Sequence, residues 1–199
     1  QASRLLGRRE RADDGARSLL PVALRCLNIQ ERMTDFPSPP ASEEAPRLTV
    51  VHDHPSRRLS DEQVRTLVRA VVEGEGAALV DLSIVLSDHA TVHRLNREYL
   101  SHDYITDVLS FSLRPSDAAS SDDDAPLIEG EVYVDLDTAA ERCDEFGASF
   151  EEEALRYVVH GVLHLVGYDD KTDAGANRMH QREDHYVVEH EKGLQDSRL

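Results

Sequence analysis

Two histidines, a glycine and two aspartates near the end of the sequence have the spacing of a metal-binding site. His160 and His164 are four residues apart, so on a helix their imidazoles project from one face, about 6 Å apart along the axis. Gly167 is placed to end that helix in the left-handed conformation, and the turn that follows can fold Asp169 or Asp170 back towards the histidines. The pattern predicts three converging ligands, two imidazoles and one carboxylate.

These ligand types indicate a catalytic rather than a structural metal. Two imidazoles and one carboxylate, with the fourth position left for water, are the usual composition of a catalytic zinc site. Zinc lowers the pKa of bound water to about 7 and polarises an oxygen of a bound electrophile. Both actions suit the cleavage of a phosphodiester bond.

The alternative is a chance pair, because the chain has ten histidines and most lone histidines lie on the surface or are hydrogen-bonded in the core. His160 and His164, however, interrupt an apolar stretch, where two unsatisfied imidazoles would cost about 1–3 kcal/mol each. The stretch contains Val158, Val159, Val162, Leu163, Leu165 and Val166. We therefore favour the metal site.

The same helix lacks the residue that a zinc peptidase requires. Peptidases of the HExxH type place a glutamate directly after the first histidine, where it serves as general base. Here that position is Gly161. The usual peptidase mechanism is therefore not expected.

Strands and helices alternate in the segments that must position these side chains. Period-two alternation and short apolar runs predict strands over residues 48–51, 78–86, 108–113 and 131–135. Helical periodicity and capping boxes predict a helix that opens at residues 60–63 and others over 88–99, 136–146, 149–166 and about 173–191. In the second strand we expect one buried side, formed by Val80, Leu82, Ile84 and Leu86. The acidic segment 114–126 reads as a loop.

This order predicts an α+β fold with a single domain. We expect a small mixed four-stranded sheet with helices packed on it, and a metal-binding helix over 149–166 that is similar to the metal helix of metalloproteases. A chain of 199 residues is long enough for one such domain and a tail.

Composition excludes several classes of protein. No uncharged apolar run approaches the roughly 18 residues of a membrane span, so we expect no membrane-embedded role. The only cysteines are Cys26 and Cys143, which offer no disulfide framework, so we expect a reducing cytoplasm. The net charge of -17 repels a free polyanion unless positive groups cluster or a metal supplies charge, and it predicts that salt stabilises the fold.

Residues 1–45 differ from the rest of the chain. Seven arginines are mixed with acidic residues up to position 32, and four of the eight prolines lie between Pro37 and Pro46. A signal peptide is the weaker interpretation, because Pro21 and Arg25 interrupt the apolar stretch. We expect a poorly structured N-terminal extension and linker over 1–45 and the functional domain over 46–199.

Other polar residues outside the motif have simpler interpretations. Four arginines could contact phosphates but are more often solvated or paired with carboxylates on helix surfaces: Arg142, Arg156, Arg178 and Arg182. The remaining candidates are interpreted as solvated surface (His180, His185, His190), a loop (His52, His54), core (Cys143) and a cap of the turn (Tyr168).

The stretch HGVLHLVGYD at 160–169 resembles the His-Gly-x-Leu-His-Leu-x-Gly-Tyr-Asp-His motif of the YbeY family of bacterial rRNA-maturation endoribonucleases. Asp170 occupies the place of a third histidine in most members. Residues 95–111, with LNREYL and TDVLSF, are similar to a second family element, although Leu100 stands where many members have an arginine. Residues 128–135 are similar to a family strand. The resemblance covers about residues 48–190.

The resemblance implies a zinc-dependent, single-strand-specific endoribonuclease that acts in rRNA maturation, at the 16S rRNA 3′ end, and in ribosome quality control. It implies that His160, His164 and Asp170 are both the catalytic residues and the ligands of one Zn²⁺. Expected partners are single-stranded rRNA, the small ribosomal subunit and assembly factors in the cytoplasm, with no membrane and no DNA. Water acts either directly or as a base towards the ribose 2′-OH.

Two other classes of protein stay open at this point. A zinc hydrolase acting on a peptide or small-molecule bond would share the site. A non-catalytic ribosome-assembly factor would use the metal for structure only.

Overall fold

The structure, a computed structural model, describes residues 45–114 and 125–196. The strands are β1 (Arg47–His52), β2 (Ala78–Ser87), β3 (Val108–Ser112) and β4 (Leu127–Asp135). The helices are α1 (Asp61–Gly74), α2 (His89–Leu100), α3 (Leu136–Phe146), α4 (Phe150–Val166) and α5 (Asp173–Asp196). All but the last residue of the predicted extension, and most of the acidic loop, lie outside the described residues.

The four strands form one mixed sheet in the order β1-β2-β4-β3. β1 is parallel to β2 and β2 is parallel to β4, with Val50 opposite Ile84 and Ile84 opposite Val132. β3 is antiparallel to β4, with Val108 opposite Val134. Both parallel connections contain a helix, as is usual for the crossovers that parallel strands require. The predicted α+β fold with a four-stranded mixed sheet is confirmed.

Side-chain caps set the beginnings of the helices. The residue before each of α1 to α4 is a serine or an aspartate whose side chain accepts a backbone N–H of the first turn, which satisfies a donor that the helix itself cannot. The predicted helix positions are confirmed. β4 begins four residues earlier than predicted because its first residue, Leu127, pairs with Ala78 of β2.

The prediction for the buried side of β2 is wrong at one residue. Val80 is exposed because it is the extra residue of a bulge between Leu79 and Asp81. Val85, on the opposite side, is buried. It packs with residues of α2, β3 and β4 in a second small cluster formed by Val85, Val92, Leu95, Leu109 and Tyr133. The end of β2 is therefore covered on both faces.

The larger core lies on the other face of the sheet, where α4 packs between α1 and α5. Val158, Val159 and Val162 of α4 are fully buried, as are Ile84 and Val132 of the sheet. This burial fixes the rotation of α4 about its axis and so determines which of its residues face outward. Among the described residues, no helix is both long enough and apolar enough to cross a membrane.

Candidate functional site

Helix α4 places the two predicted histidines side by side. It begins at a capping box formed by Ser149 and Glu152, and its apolar face is buried as described above. His160 and His164 lie one turn apart, and their Nε2 atoms are 3.0 Å from each other. The ring centroids are 4.6 Å apart with an interplanar angle of 82°. The two imidazoles therefore converge on one point.

The turn after α4 brings one of the two candidate aspartates to this point. Gly167 has a φ of 118°, a left-handed value that a side chain disfavours, and its N–H donates to the carbonyls of Leu163 and His164. The Asp170 Oδ2 atom lies 3.7 Å from His160 Nε2 and 4.0 Å from His164 Nε2. Asp169 is not part of the group of possible ligands, and its Oδ1 atom accepts the Lys171 N–H. Of the two alternatives, Asp170 is the residue beside the histidines.

The opposite nitrogen of each histidine has a partner that can only accept a hydrogen bond. His160 Nδ1 lies 2.8 Å from Oε1 of Glu183, and His164 Nδ1 lies 3.0 Å from the carbonyl oxygen of Tyr168. Both Nδ1 atoms must therefore donate. In the neutral tautomer both Nε2 atoms then carry lone pairs, which repel at 3.0 Å unless a positive charge lies between them.

Glu183 is the main residue of the site that the sequence analysis did not identify as a site residue. Its side chain is only 3% exposed, and Arg156 lies 3.7 Å from its other oxygen. Burial lowers the pKa of His160, but Glu183, Asp107 and Asp170 raise it more, so the net shift is upward. The surroundings thus favour positive charge at this position.

The donor set fits one divalent ion. The ligand atoms of His160, His164 and Asp170 all lie within 4.8 Å of one another. In a tetrahedral zinc site with bonds of about 2.0–2.1 Å, donor atoms are about 3.3 Å apart. The three separations of 3.0, 3.7 and 4.0 Å bracket this value. Two imidazoles and one carboxylate also leave a coordination position open, as catalytic zinc sites do.

Gly161 packs closely against the sheet, so there is no room at this position for the glutamate that serves as general base in zinc peptidases. A Cβ atom at this position would lie 2.4 Å from Val132 Cγ1 and 3.0 Å from Val108 Cγ2. Its carbonyl oxygen accepts the Ser110 hydroxyl at 2.8 Å. The backbone of α4 therefore lies directly on β3 and β4, and a glutamate cannot occupy this position without displacing the helix.

A cavity of about 550 Å³ adjoins His160 and Asp170. It lies among α3, α4, α5 and the residue before β3. Its lining consists of Asp107, Arg142, Phe146, Glu153, Arg156, Tyr157, His160, Asp170, His180, Glu183 and Asp184. This cavity gives a bound molecule access to His160 and Asp170.

The arginines considered for phosphate binding are mostly paired with carboxylates. Arg156 lies 2.5 Å from Asp184, and the guanidinium of Arg182 lies 2.5 Å from Glu75. Arg142 makes a long contact of 3.5 Å with Glu145, and Arg178 is exposed. Of the four, Arg142 and Arg156 line the cavity.

Glu75, at the end of α1, ties the turn after α4 to α5. It accepts the hydroxyl of Tyr168 at 2.9 Å, the hydroxyl of Tyr186 at 2.7 Å and the Arg182 Nε–H at 2.6 Å. Burial raises the pKa of Glu75, but the bonds from Tyr186, Arg182 and Tyr168 lower it more. Tyr168 thus belongs to the turn, as the sequence interpretation preferred.

The N-terminal histidine pair takes no part in this site. His54 is buried in the loop after β1 and lies 3.1 Å from Asp137, at the start of α3. Burial raises the pKa of Asp137, but the bond from His54, the His89 backbone N–H and the charge of Arg57 lower it more. This cluster ties the loop to α3 and lies outside the residues that line the cavity.

Two smaller predictions are correct only in part or wrong. His180 and His185 are exposed, as expected, whereas His190 is partly buried and burial lowers its pKa. Cys143 is partly exposed rather than part of the core. Leu100, at the end of α2, is exposed.

The fold and the site together define an α+β protein with a group of three residues that could hold a metal ion beside a cavity, and comparison with known proteins gives the family. The model of the family described as Endoribonuclease YbeY matches residues 51–191. The chain therefore belongs to the YbeY endoribonuclease family.

Individual relatives agree with this assignment. A protein of Salinibacter ruber named Endoribonuclease YbeY is 61% identical over 140 residues, which cover 70% of this chain and 89% of the relative. A protein of the same name from Chlorobaculum tepidum is 34% identical over 131 residues, or 66% of this chain and 89% of the relative. The solution structure of TM1509 from Thermotoga maritima has a TM-score of 0.52 and 27% identity, covering 75% of this chain and 93% of that one.

Proposed function

We propose that this chain is a metal-dependent endoribonuclease that cleaves single-stranded RNA. We further propose that it acts in the cytoplasm, in maturation of the 16S rRNA 3′ end and in ribosome quality control, with the small ribosomal subunit and assembly factors as partners. Membership of the YbeY endoribonuclease family supports the reaction class. We assign the activity to residues 46–199, because the family match begins at residue 51, and we assign none to residues 1–45.

One observation carries the metal dependence. The Nε2 atoms of His160 and His164 face each other at 3.0 Å, while acceptors hold both Nδ1 atoms as donors. Asp170 adds a carboxylate beside them. We therefore propose that these three residues hold one divalent ion, with zinc as the ion that two imidazoles and one carboxylate suit.

Each neighbouring residue has a definable role in this arrangement. When bound, zinc would supply Lewis-acid polarisation of a phosphate oxygen and a lowered pKa for water. Glu183 fixes the tautomer and the orientation of His160, and the Tyr168 carbonyl does the same for His164. Gly167 sets the turn that holds Asp170 in range. Arg156 keeps Glu183 in place from the other side.

Two routes of cleavage are compatible with the site, and they leave different ends. Attack by water on phosphorus leaves a terminal phosphate monoester. Attack by the neighbouring ribose 2′-OH leaves a 2′,3′-cyclic phosphate. Analysis of the product ends by mass spectrometry distinguishes the routes.

The proposal is tested by zinc content and RNA cleavage measured on the same preparations. We expect about one zinc per wild-type chain and cleavage of an unstructured oligoribonucleotide but not of its duplex. His164→Ala should fold, lose zinc and lose cleavage. His185→Ala is the matched control, because His185 is exposed on α5 and lies outside the ligand group. Equal turnover by wild type and His164→Ala would defeat the assignment.

A further inference from the structure

Phe146 is the most exposed of the large hydrophobic side chains in the described part of the chain. Its side chain is 59% exposed, and it belongs to neither of the two hydrophobic clusters. It is the last residue of α3, directly before the left-handed cap Gly147. Packing therefore does not explain an aromatic residue at this position. Its ring lines the same cavity as His160 and Asp170.

Arg142 lies one helical turn before Phe146 and places its guanidinium against the ring. The distance from Arg142 Cζ to the ring centroid is 5.2 Å, within the range of a cation–π contact. An aromatic ring and a guanidinium plane are the two side-chain surfaces on which proteins stack unpaired bases. The pair thus presents a stacking surface at the edge of the cavity.

The charges of the cavity favour stacking over phosphate binding. Its lining has five carboxylates against two guanidinium groups: Asp107, Glu153, Asp170, Glu183 and Asp184 against Arg142 and Arg156. Arg156 is itself paired with two of these carboxylates. Phosphate contacts alone therefore cannot supply most of the affinity for a polyanion, whereas a neutral base can stack at no electrostatic cost.

We propose that Phe146, with Arg142 against its ring, is the platform on which one unpaired nucleobase stacks beside the scissile phosphodiester. This inference rests on the proposed endoribonuclease function and adds the residue that selects single strands. In a duplex both faces of a base are already stacked on its neighbours, so the base is not accessible to the ring. A single strand offers that face freely.

The first test compares three zinc-loaded variants on an unstructured oligoribonucleotide. Binding is followed by stopped-flow quenching of an internal 2-aminopurine, before turnover, and kcat and KM are then measured. Phe146→Ala should bind about 5- to 150-fold more weakly, the range found for loss of one stacked base, and Phe146→Trp should bind like wild type. Tyr104→Ala should also bind like wild type, because Tyr104 is 57% exposed but does not line the cavity.

Two further measurements distinguish stacking on the Phe146 ring from contacts with phosphate. An abasic ribose beside the cleavage site should weaken binding to wild type but not further weaken binding to Phe146→Ala. The slope of log affinity against log salt concentration should be no steeper than about -1.4, the value for two phosphate contacts on a single strand. A slope clearly steeper than about -1.4 would show that phosphate contacts supply more of the affinity than the proposal allows, and it would overturn the platform as the main source of binding.

The remaining outcomes separate this inference from the proposed function. If wild type cleaves RNA and Phe146→Ala binds it equally tightly, the platform is wrong and the endoribonuclease stands. Equal losses in Phe146→Ala and Tyr104→Ala also overturn the platform. If wild type binds RNA through Phe146 but never cleaves it, the platform stands and the proposed activity fails. Absence of RNA binding by wild type overturns both.

Discussion

Replacing Glu183 tests whether its contact with His160 serves the metal or only the fold. The Glu183 carboxylate is 3% exposed and lies 2.8 Å from His160 Nδ1. Glu183→Ala removes the acceptor and leaves the imidazole free to rotate or to change tautomer. Glu183→Gln keeps an acceptor oxygen and removes the charge. The two variants therefore separate the orientation of the imidazole from the electrostatic attraction of the cation.

The size of the effect follows from the role of such outer partners. Loss of a hydrogen-bond partner of a ligating histidine costs about 10- to 100-fold in metal affinity, or about 1.4–2.7 kcal/mol. We expect this loss for Glu183→Ala, and a loss of about 10-fold or less for Glu183→Gln. Zinc affinity is measured by competition with a chromophoric chelator at neutral pH, with circular dichroism to verify the fold.

Asp184 provides the matched control for this experiment. It is the next residue in the chain, its carboxylate also pairs with Arg156 at 2.5 Å, and it is 64% exposed. Unlike Glu183, it forms no ion pair with His160. Asp184→Asn should retain wild-type zinc affinity. If Glu183→Ala and Asp184→Asn bind zinc equally well, Glu183 does not orient the ligand and the reasoning fails.

Four other predictions concern the fold and the turn. Gly161→Ala should lower the free energy of unfolding by about 1–2 kcal/mol, because overpacking against β4 outweighs the gain in helix propensity. Gly193→Ala is the control and should not lower it, because a Cβ atom there meets no atom within 4 Å. Equal stability of the two variants would contradict the tight packing at Gly161. Because the pKa of Asp137 is lowered in the folded state, its carboxylate stabilises the fold at pH values above its ordinary pKa of 3.8, and this contribution is lost as the pH falls through the folded-state pKa. Asp137→Asn should therefore lower the free energy of unfolding by about 1–2 kcal/mol at pH 7 and by less in acid. Urea titrations in which the difference between wild type and variant stays constant with pH would refute this. Tyr168→Phe should lower stability by about 1 kcal/mol and also lower zinc affinity, because the Tyr168 hydroxyl anchors the turn whose carbonyl faces His164. Tyr186→Phe should lower stability alone. Urea titration and chelator competition measure the two effects, and equal zinc affinities of the two variants would contradict the role of the turn. The melting temperature should rise from low to molar KCl, because salt screens the net charge of -17, and a flat profile would count against this.

Much of the fold could be predicted because its signals are local. A capping box, period-two alternation and a glycine at a helix end each depend on residues within one or two turns of each other. The histidine pair was predictable for the same reason, since His160 and His164 lie on one helix. The turn at Gly167 predicted that Asp169 or Asp170 would lie near the histidines, and only the family resemblance favoured Asp170. In each case the chain itself determines the geometry over a short span.

Residues that act across the fold could not be predicted by spacing. Glu183 is 23 residues from His160, and the packing of α5 on α4 alone brings them together. A signal existed, because Glu183 interrupts the buried stripe that contains Met179, Tyr186 and Val187, and a carboxylate on such a stripe needs a partner. The bulge that exposes Val80 depends on pairing with β4 and leaves no comparable signal in the sequence.

Because the chain is acidic, its affinity for RNA would depend on both the bound metal ion and the Phe146 platform. Arg156 is paired with Asp184, and Arg182 is paired with Glu75, so these arginines contribute little uncompensated positive charge. On the proposed function, a divalent ion at His160 would be the largest local positive charge in the cleft. RNA affinity and metal occupancy are then coupled, because without the ion the carboxylates of the cleft repel phosphate. A strand that offers both a phosphate to that charge and an unpaired base to Phe146 overcomes the repulsion, whereas a duplex offers only the phosphate.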